Sequence, residues 1–330
     1  MKKTINWALA GTGGISNRFL TGLRAVEGAH ALAVVSRTRE NAEAFAARYG
    51  IEKSFDSFDR MLEDPSIDAV YIGTPHTLHR DMAVKALKAK KAVLCEKPAA
   101  VNAGELGEMI QAARDNRCFF MEAMWTRFTP PLAKVREWLA QGLIGEVKVM
   151  QANFGFSAPF NPQSRLFDPS LAGGCLLDAG VYPLSLASMV FGGKKPERIV
   201  SHLYFGEAGT DEEALVILSY GGPRLAYAAA ANRTAMKNDG WIYGTQGKIH
   251  LPDFVFSHSA ELLLDGRYNY RYEGDFLSNG YNYETEEVMN CIREGRTESP
   301  VMSWDESLVL METMDAVRAQ WNYKYPGEKG

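Results

Sequence analysis

The run Ile5-Asn6-Trp7-Ala8-Leu9-Ala10, passing straight into Gly11-Thr12-Gly13-Gly14-Ile15-Ser16, constrains this chain more than any other stretch. Six mostly apolar residues suit a buried strand, and the glycines that follow stop it; the pattern beyond them, to about Glu27, is helical. A strand, a glycine turn and a helix in that order present main-chain N–H groups and the positive end of the helix to a phosphate. The first glycine permits the tight turn, the second lets the backbone approach a pyrophosphate, and Ser16 stands where a third small residue allows close helix packing. Gly11, Thr12, Gly13, Gly14 and Ile15 are therefore expected to hold a dinucleotide.

The glycine turn opens a series. Strand-like runs recur at 30–36, 69–73, 92–95 and 118–121, separated by helical patterns at 41–49, 81–90 and 104–116. Such alternation predicts an α/β fold with a doubly wound parallel sheet, a Rossmann domain over 1–123. The second strand ends in Ser36-Arg37-Thr38-Arg39, where an NAD site would carry an acid for the ribose 2′-hydroxyl. Two guanidinium groups and two hydroxyls stand there instead, which points to NADP(H), with Arg37 the main candidate for the 2′-phosphate and Ser36, Thr38 and Arg39 beside it. In the loop Gly73-Thr74-Pro75-His76-Thr77-Leu78-His79, Thr74, Pro75, His76 and His79 are expected to line the nicotinamide side. No Cys or acidic cluster joins the two histidines, so no metal is expected.

At 330 residues the chain is long enough for two domains. A formal charge of −4 without a basic run gives no reason to expect nucleic acid or an anionic membrane as partner. Thr4 to Ala10 is too short for a signal core, no apolar run of membrane length stands out, and four scattered cysteines suggest neither disulfide nor zinc, so a cytoplasmic protein is expected. From Val147 the pattern changes to long strands, with turn signals at Gly221-Gly222-Pro223 and Asp265-Gly266. This predicts a second, α+β domain over 124–330 with a large, mostly antiparallel open sheet. The runs 214–220 and 225–231 lack a polar face, so both sides of the sheet should be covered, one by helices and the other by a second copy in a homodimer. A last helix over 303–323, opened by Ser303 with Glu306 three residues on, is expected to pack back on the domain junction.

Two constellations carry the chemistry. Ala92-Val93-Leu94-Cys95-Glu96-Lys97-Pro98 is a short strand that delivers Glu96 and Lys97 to its carboxyl end, where open α/β sheets bind ligands. A lysine there is suited to proton transfer, although a solvated lysine paired with Glu96 reads equally from the residues alone. In Gly173-Gly174-Cys175-Leu176-Leu177-Asp178-Ala179-Gly180-Val181-Tyr182-Pro183, Asp178 and Tyr182 stand four apart, on one face of a helix. An acid near a helix start and a half-buried tyrosine would explain the same residues.

Together, the glycine turn, the Glu96-Lys97-Pro98 triplet and the 173–183 block resemble the glucose-fructose oxidoreductase, inositol dehydrogenase and MocA (Gfo/Idh/MocA) family. Glu122-Ala123-Met124-Trp125-Thr126-Arg127-Phe128 and Ser164-Arg165-Leu166-Phe167-Asp168-Pro169 look most like the branch holding dimeric dihydrodiol dehydrogenases and NADP-dependent D-xylose dehydrogenases. The resemblance implies an NADP-dependent oxidoreductase moving hydride between nicotinamide and a carbinol carbon of a sugar, polyol or cyclic trans-diol. It implies a proton relay of Lys97, Tyr182 and Asp178, with Glu96, Lys97, Trp125 and Arg127 toward the cofactor. Trp125 and Phe154, each beside a motif, are expected to wall the substrate pocket with Lys97, Asp178 and Tyr182. Two other readings are a glycosidase that oxidises its sugar transiently and a non-catalytic NADP-sensing module.

Overall fold

A computed structural model describes residues 3–264 and 268–328. The Asp265-Gly266 turn lies outside the described residues. The strands are β1 (Ile5–Ala10), β2 (Ala29–Val35), β3 (Lys53–Phe55), β4 (Ala69–Ile72), β5 (Ala92–Glu96), β6 (Phe120–Ala123), β7 (Val147–Gly155), β8 (Arg198–Phe205), β9 (Asp211–Ser219), β10 (Leu225–Ala231), β11 (Gly240–Gly244), β12 (Gly247–Leu251), β13 (Ser259–Leu264) and β14 (Tyr268–Glu273). The helices are α1 (Gly14–Leu23), α2 (Arg39–Tyr49), α3 (Phe58–Leu62), α4 (His79–Lys88), α5 (Ala103–Asn116), α6 (Pro130–Ala140), α7 (Val181–Val190), α8 (Tyr281–Arg293) and α9 (Trp304–Ala319).

The chain forms two compact units. The first takes the chain through Ala100, then Gly104–Phe128 and Phe276–Trp304. Its six strands run β3-β2-β1-β4-β5-β6, all parallel, the doubly wound order expected of the amino-terminal pattern. Residues of β4, β5 and β6 are buried throughout, as strands covered on both faces must be. The sequence places the domain boundary after 123, whereas this unit continues to Phe128 and takes back α8. The reason is packing: α8 lies on α1 and on the 3-10 turn Trp125–Phe128. At the α1 crossing a Cβ on Gly22 would come within 2.7 Å of Asn282 N and Tyr281 Cβ, so only glycine admits the contact. Strand β3 and helix α8 were not foreseen. Strand β3 is only three residues long.

The second unit takes Val101–Ala103, Thr129–Asp275 and the chain from Asp305. Its eight strands run β14-β13-β12-β11-β7-β10-β9-β8, antiparallel except for the β7–β10 pair. Helix α7 packs on β7 and β10 and covers one face. Burial alternates along β9 and β10, so the opposite face leaves Leu215, Ile217, Leu225 and Tyr227 exposed within the chain. One expectation is corrected: Pro169–Val190 does contain an 18-residue window of membrane length and apolarity, with a mean hydropathy of 1.2, but 89% of that window is buried. Its apolarity serves the core under the sheet. Helix α9 ends at Ala319, short of Tyr323.

Candidate functional site

At the end of β1, Gly11 has a positive φ of 109°, and a Cβ there would lie 2.9 Å from the Gly73 carbonyl oxygen; both facts require glycine. Ser16 is fully buried and its hydroxyl fills the space beside Gly73, where a Cβ would come within 2.9 Å of it. Helix α1 thus sits tight on the β1 and β4 ends, while Gly13 and Gly14 face open space at the helix start. That arrangement leaves the first N–H groups of α1 able to receive a phosphate. Thr12 Oγ1 lies 3.4 Å from Ser36 Oγ, which links the glycine turn to the end of β2. There the four polar residues divide their work. Thr38 caps α2, accepting from the Asn41 N–H at 3.3 Å, and Arg39 pairs with Glu43 at 2.8 Å along the helix. Arg37 is exposed at the strand end.

Three groups pin the loop that carries Lys97. The Lys97 N–H donates to Glu96 Oε2 at 3.2 Å, and the Ala99 N–H donates to Glu122 Oε1 at 3.0 Å. His79 places Nδ1 3.0 Å from the Pro98 carbonyl oxygen and Nε2 2.8 Å from that of Thr74. The histidine therefore ties the Thr74-Pro75 loop to the Lys97-Pro98 loop, whose peptide bond is cis. His76 is buried edge-on to His79, with ring centroids 5.7 Å apart. Glu96 also accepts the Tyr71 hydroxyl at 2.6 Å. Trp125, expected at the pocket wall, is buried in the first unit, stacked on Tyr281 at 5.1 Å and edge-on to Phe276. Arg127 is buried in the same turn.

In the second unit the 173–183 block is not a simple α-helix. Leu176–Gly180 is one π-helical turn that leads into α7, so Asp178 lies in the wider turn and Tyr182 in the α-helix. Asp178 is 9% exposed and accepts from Arg165 at 3.0 Å. The Gly-Gly pair explains how Arg165 gets there. The N–H of Gly173 donates to the Asp168 carbonyl and that of Gly174 to the Leu166 carbonyl, and a Cβ on Gly173 would lie within 2.9 Å of three main-chain oxygens of 165–168. Gly174 has φ of 128°, and a Cβ there would overlap Asp211 Oδ1. The Asp211 carboxylate, buried at the start of β9, accepts the Leu176 N–H at 2.6 Å and so caps the turn that bears Asp178. Phe154 packs edge-on against Tyr182, with centroids 5.3 Å apart, and touches Phe156 and Phe256 as well.

The structure thus brings Thr12 to Ser36, Thr74 and His79 to the Lys97 loop, and Phe154 to Tyr182. Lys97 and Trp125 belong to the first unit, Asp178, Tyr182 and Phe154 to the second. Arg165, Asp211, Tyr71 and Glu122 are the polar partners that sequence reasoning missed. Arg165 stood inside a motif block, but its pairing with an acid thirteen residues on is a matter of loop path, which no periodicity reports. Among the described residues no cluster of metal-ligating side chains is present.

Residues 5–124 match the model of an oxidoreductase family with an NAD-binding Rossmann fold (GFO_IDH_MocA), and residues 132–250 match the GFO/IDH/MocA C-terminal domain. The trans-1,2-dihydrobenzene-1,2-diol dehydrogenase of Xenopus laevis is 36% identical over 329 residues, 97% of this chain and 99% of that protein. Two solved structures share the fold. The aldose-aldose oxidoreductase of Caulobacter crescentus, complexed with glycerol, has a TM-score of 0.87 at 23% identity over 97% of this chain and 99% of that one. A 3-ketoreductase from Actinomadura kijaniata, in complex with NADP and TDP-benzene, has a TM-score of 0.84 at 23% identity over 96% and 98%.

Proposed function

The chain belongs to the Gfo/Idh/MocA oxidoreductase family, and from that premise we propose that it is an NADP-dependent dehydrogenase acting on the carbinol carbon of a cyclic trans-diol or an aldose. The observation that carries this reading is the pinned Lys97 loop at the carboxyl end of β5, one strand from the β1–β4 switch point where the glycine turn opens. Bound NADP supplies the hydride acceptor. Gly11–Ile15 receive its pyrophosphate, Arg37 its 2′-phosphate, and Thr74, Pro75 and His76 its nicotinamide side. In the first unit Lys97 serves proton transfer from a substrate hydroxyl; in the second, Tyr182 is the candidate acid/base and Asp178, held by Arg165, the candidate for orienting a hydroxyl. The curated diol dehydrogenase, alike over its whole length, favours the diol class.

An absorbance assay of reduced nicotinamide, run with NADP against arene dihydrodiols, aldoses and inositols, tests the reading; no turnover with any of the three classes would sink it. In the same assay Arg37→Asp should shift the NADP over NAD preference by roughly 10- to 100-fold, the worth of about 1.5–3 kcal/mol for a charge-assisted bond. An unchanged preference would remove Arg37 from the phosphate site.

The open face of the second unit's sheet supports a homodimer. Val200, Ile217 and Tyr227 are register neighbours across β8, β9 and β10, and with Tyr204, Leu215 and Leu225 they are 39–55% exposed, a contiguous apolar stripe. A symmetric pairing through this face buries it on both copies. Sedimentation at micromolar concentration should give a dimer for the parent and a monomer for Val200→Lys/Ile217→Lys, while a monomeric parent would exclude the arrangement. Cys95, Cys118, Cys175 and Cys291 are buried free thiols, which fits a cytoplasmic protein.

A further inference from the structure

Glu284, in the first turn of α8, is fully buried, and neither of its carboxyl oxygens has a hydrogen-bond partner among the described residues. An ionised carboxylate in that state would be strongly disfavoured, and it takes up a proton instead. Burial first, and then the charge of Glu96, push the Glu284 carboxyl well above the usual range. Glu96 is the opposite case. It accepts from the Tyr71 hydroxyl and from the Lys97 N–H, and donors of that kind favour the ionised form. Tyr71 stays a phenol, because burial, and then the charge of Glu96 and the hydrogen bond to it, oppose its ionisation. Tyr281, on α8 itself, is the other titratable group acting on Tyr71. Arg18 on α1 and Arg127 in the 125–128 turn are cations of the elements packed on α8.

We infer that Glu96 and Glu284 form a buried acid pair carrying one charge and one proton, and that Glu284, by keeping the proton, is a positioning residue for Lys97. A second charge in the pair would repel Glu96 from its place under the Lys97 N–H and so disturb the loop. The inference rests on the assignment of Lys97 to the reaction.

Glu284→Gln is nearly isosteric and permanently neutral. In the parent, the folded state holds a proton that the unfolded chain, with the ordinary carboxyl value of 4.5, releases. The native state then binds more protons, so parent stability falls as pH rises above that ordinary value, until the raised folded value is reached. Denaturant unfolding between pH 5 and pH 8 should therefore show the parent's unfolding constant rising up to about tenfold per pH unit relative to the variant's. Glu284→Leu should remove the same dependence, and it serves if the Gln variant does not fold. The pH profile of kcat/KM with NADP is the second arm: the parent should show an alkaline ionisation that the variant lacks. Equal pH slopes of stability in parent and variant overturn the acid pair. A difference in those slopes with superimposable kcat/KM profiles overturns the positioning role. If no substrate turns over, the stability arm still decides the acid pair, and the assignment of Lys97 fails separately.

Discussion

Lys97→Met is expected to lower kcat by roughly 10²- to 10⁴-fold, the usual contribution of a positioned acid or base, with NADP binding by tryptophan fluorescence nearly intact. Methionine keeps an unbranched, largely apolar stem close to that of lysine and lacks the ammonium. The main chain around it is held by Glu96, Glu122 and His79, whose bonds go to backbone atoms at 97, 99 and 98, so the loop should survive the exchange. The glycine turn and Arg37, on the β1 and β2 ends, are untouched, which is why binding and turnover should separate. A variant that turns over at the parental rate would take Lys97 out of the chemistry.

Arg318→Ala should destabilise the second unit by about 3–5 kcal/mol, the typical effect of removing one partner from a buried ion pair. The guanidinium is 5% exposed and donates to Glu328 at 2.7 and 2.9 Å, to Asp315 at 2.6 Å and to the Val101 carbonyl at 3.1 Å. Glu328 also accepts from the Tyr325 N–H and from Asn102. Burial alone would raise the Glu328 carboxyl, but the bond and charge of Arg318 outweigh it and hold it below the usual carboxylate value. The truncated variant strands that carboxylate in the interior. Because the folded value is depressed, the clasp stabilises fully above the unfolded carboxyl value, and its contribution is lost as pH falls through the folded one. Denaturant midpoints at pH 7 and pH 3 check both statements: a large parent-to-variant gap at pH 7 should shrink at pH 3. Arg318→Ala/Glu328→Ala should recover part of the loss, since the uncompensated charge goes with it. A gap of equal size at both pH values would show that the clasp acts through packing alone.

Much of the first unit was legible because its information is local. A glycine that must adopt positive φ at the end of β1, a small residue at 16 and apolar runs of strand length are properties of consecutive residues, and they specify strand, turn and helix wherever the chain goes. The polar end of β2 was legible in type but not in detail. Four donors stood together, and only the start of α2 assigned Thr38 to a cap and Arg39 to Glu43, leaving Arg37 at the strand end.

By itself the sequence determined the doubly wound order, the glycine turn, the strand end that carries Lys97 and the family to which those motifs belong. Tertiary structure alone decided which groups hold these residues in place. Asp211 caps the turn that bears Asp178 through a bond to Leu176 35 residues away, Glu96 takes a phenol from β4, and α8 returns from beyond residue 280 to bury Glu284 in the first unit. Such partners leave no period in the chain, because a buried polar atom requires only that some donor or acceptor reach it, and the fold, not sequence spacing, determines which one does.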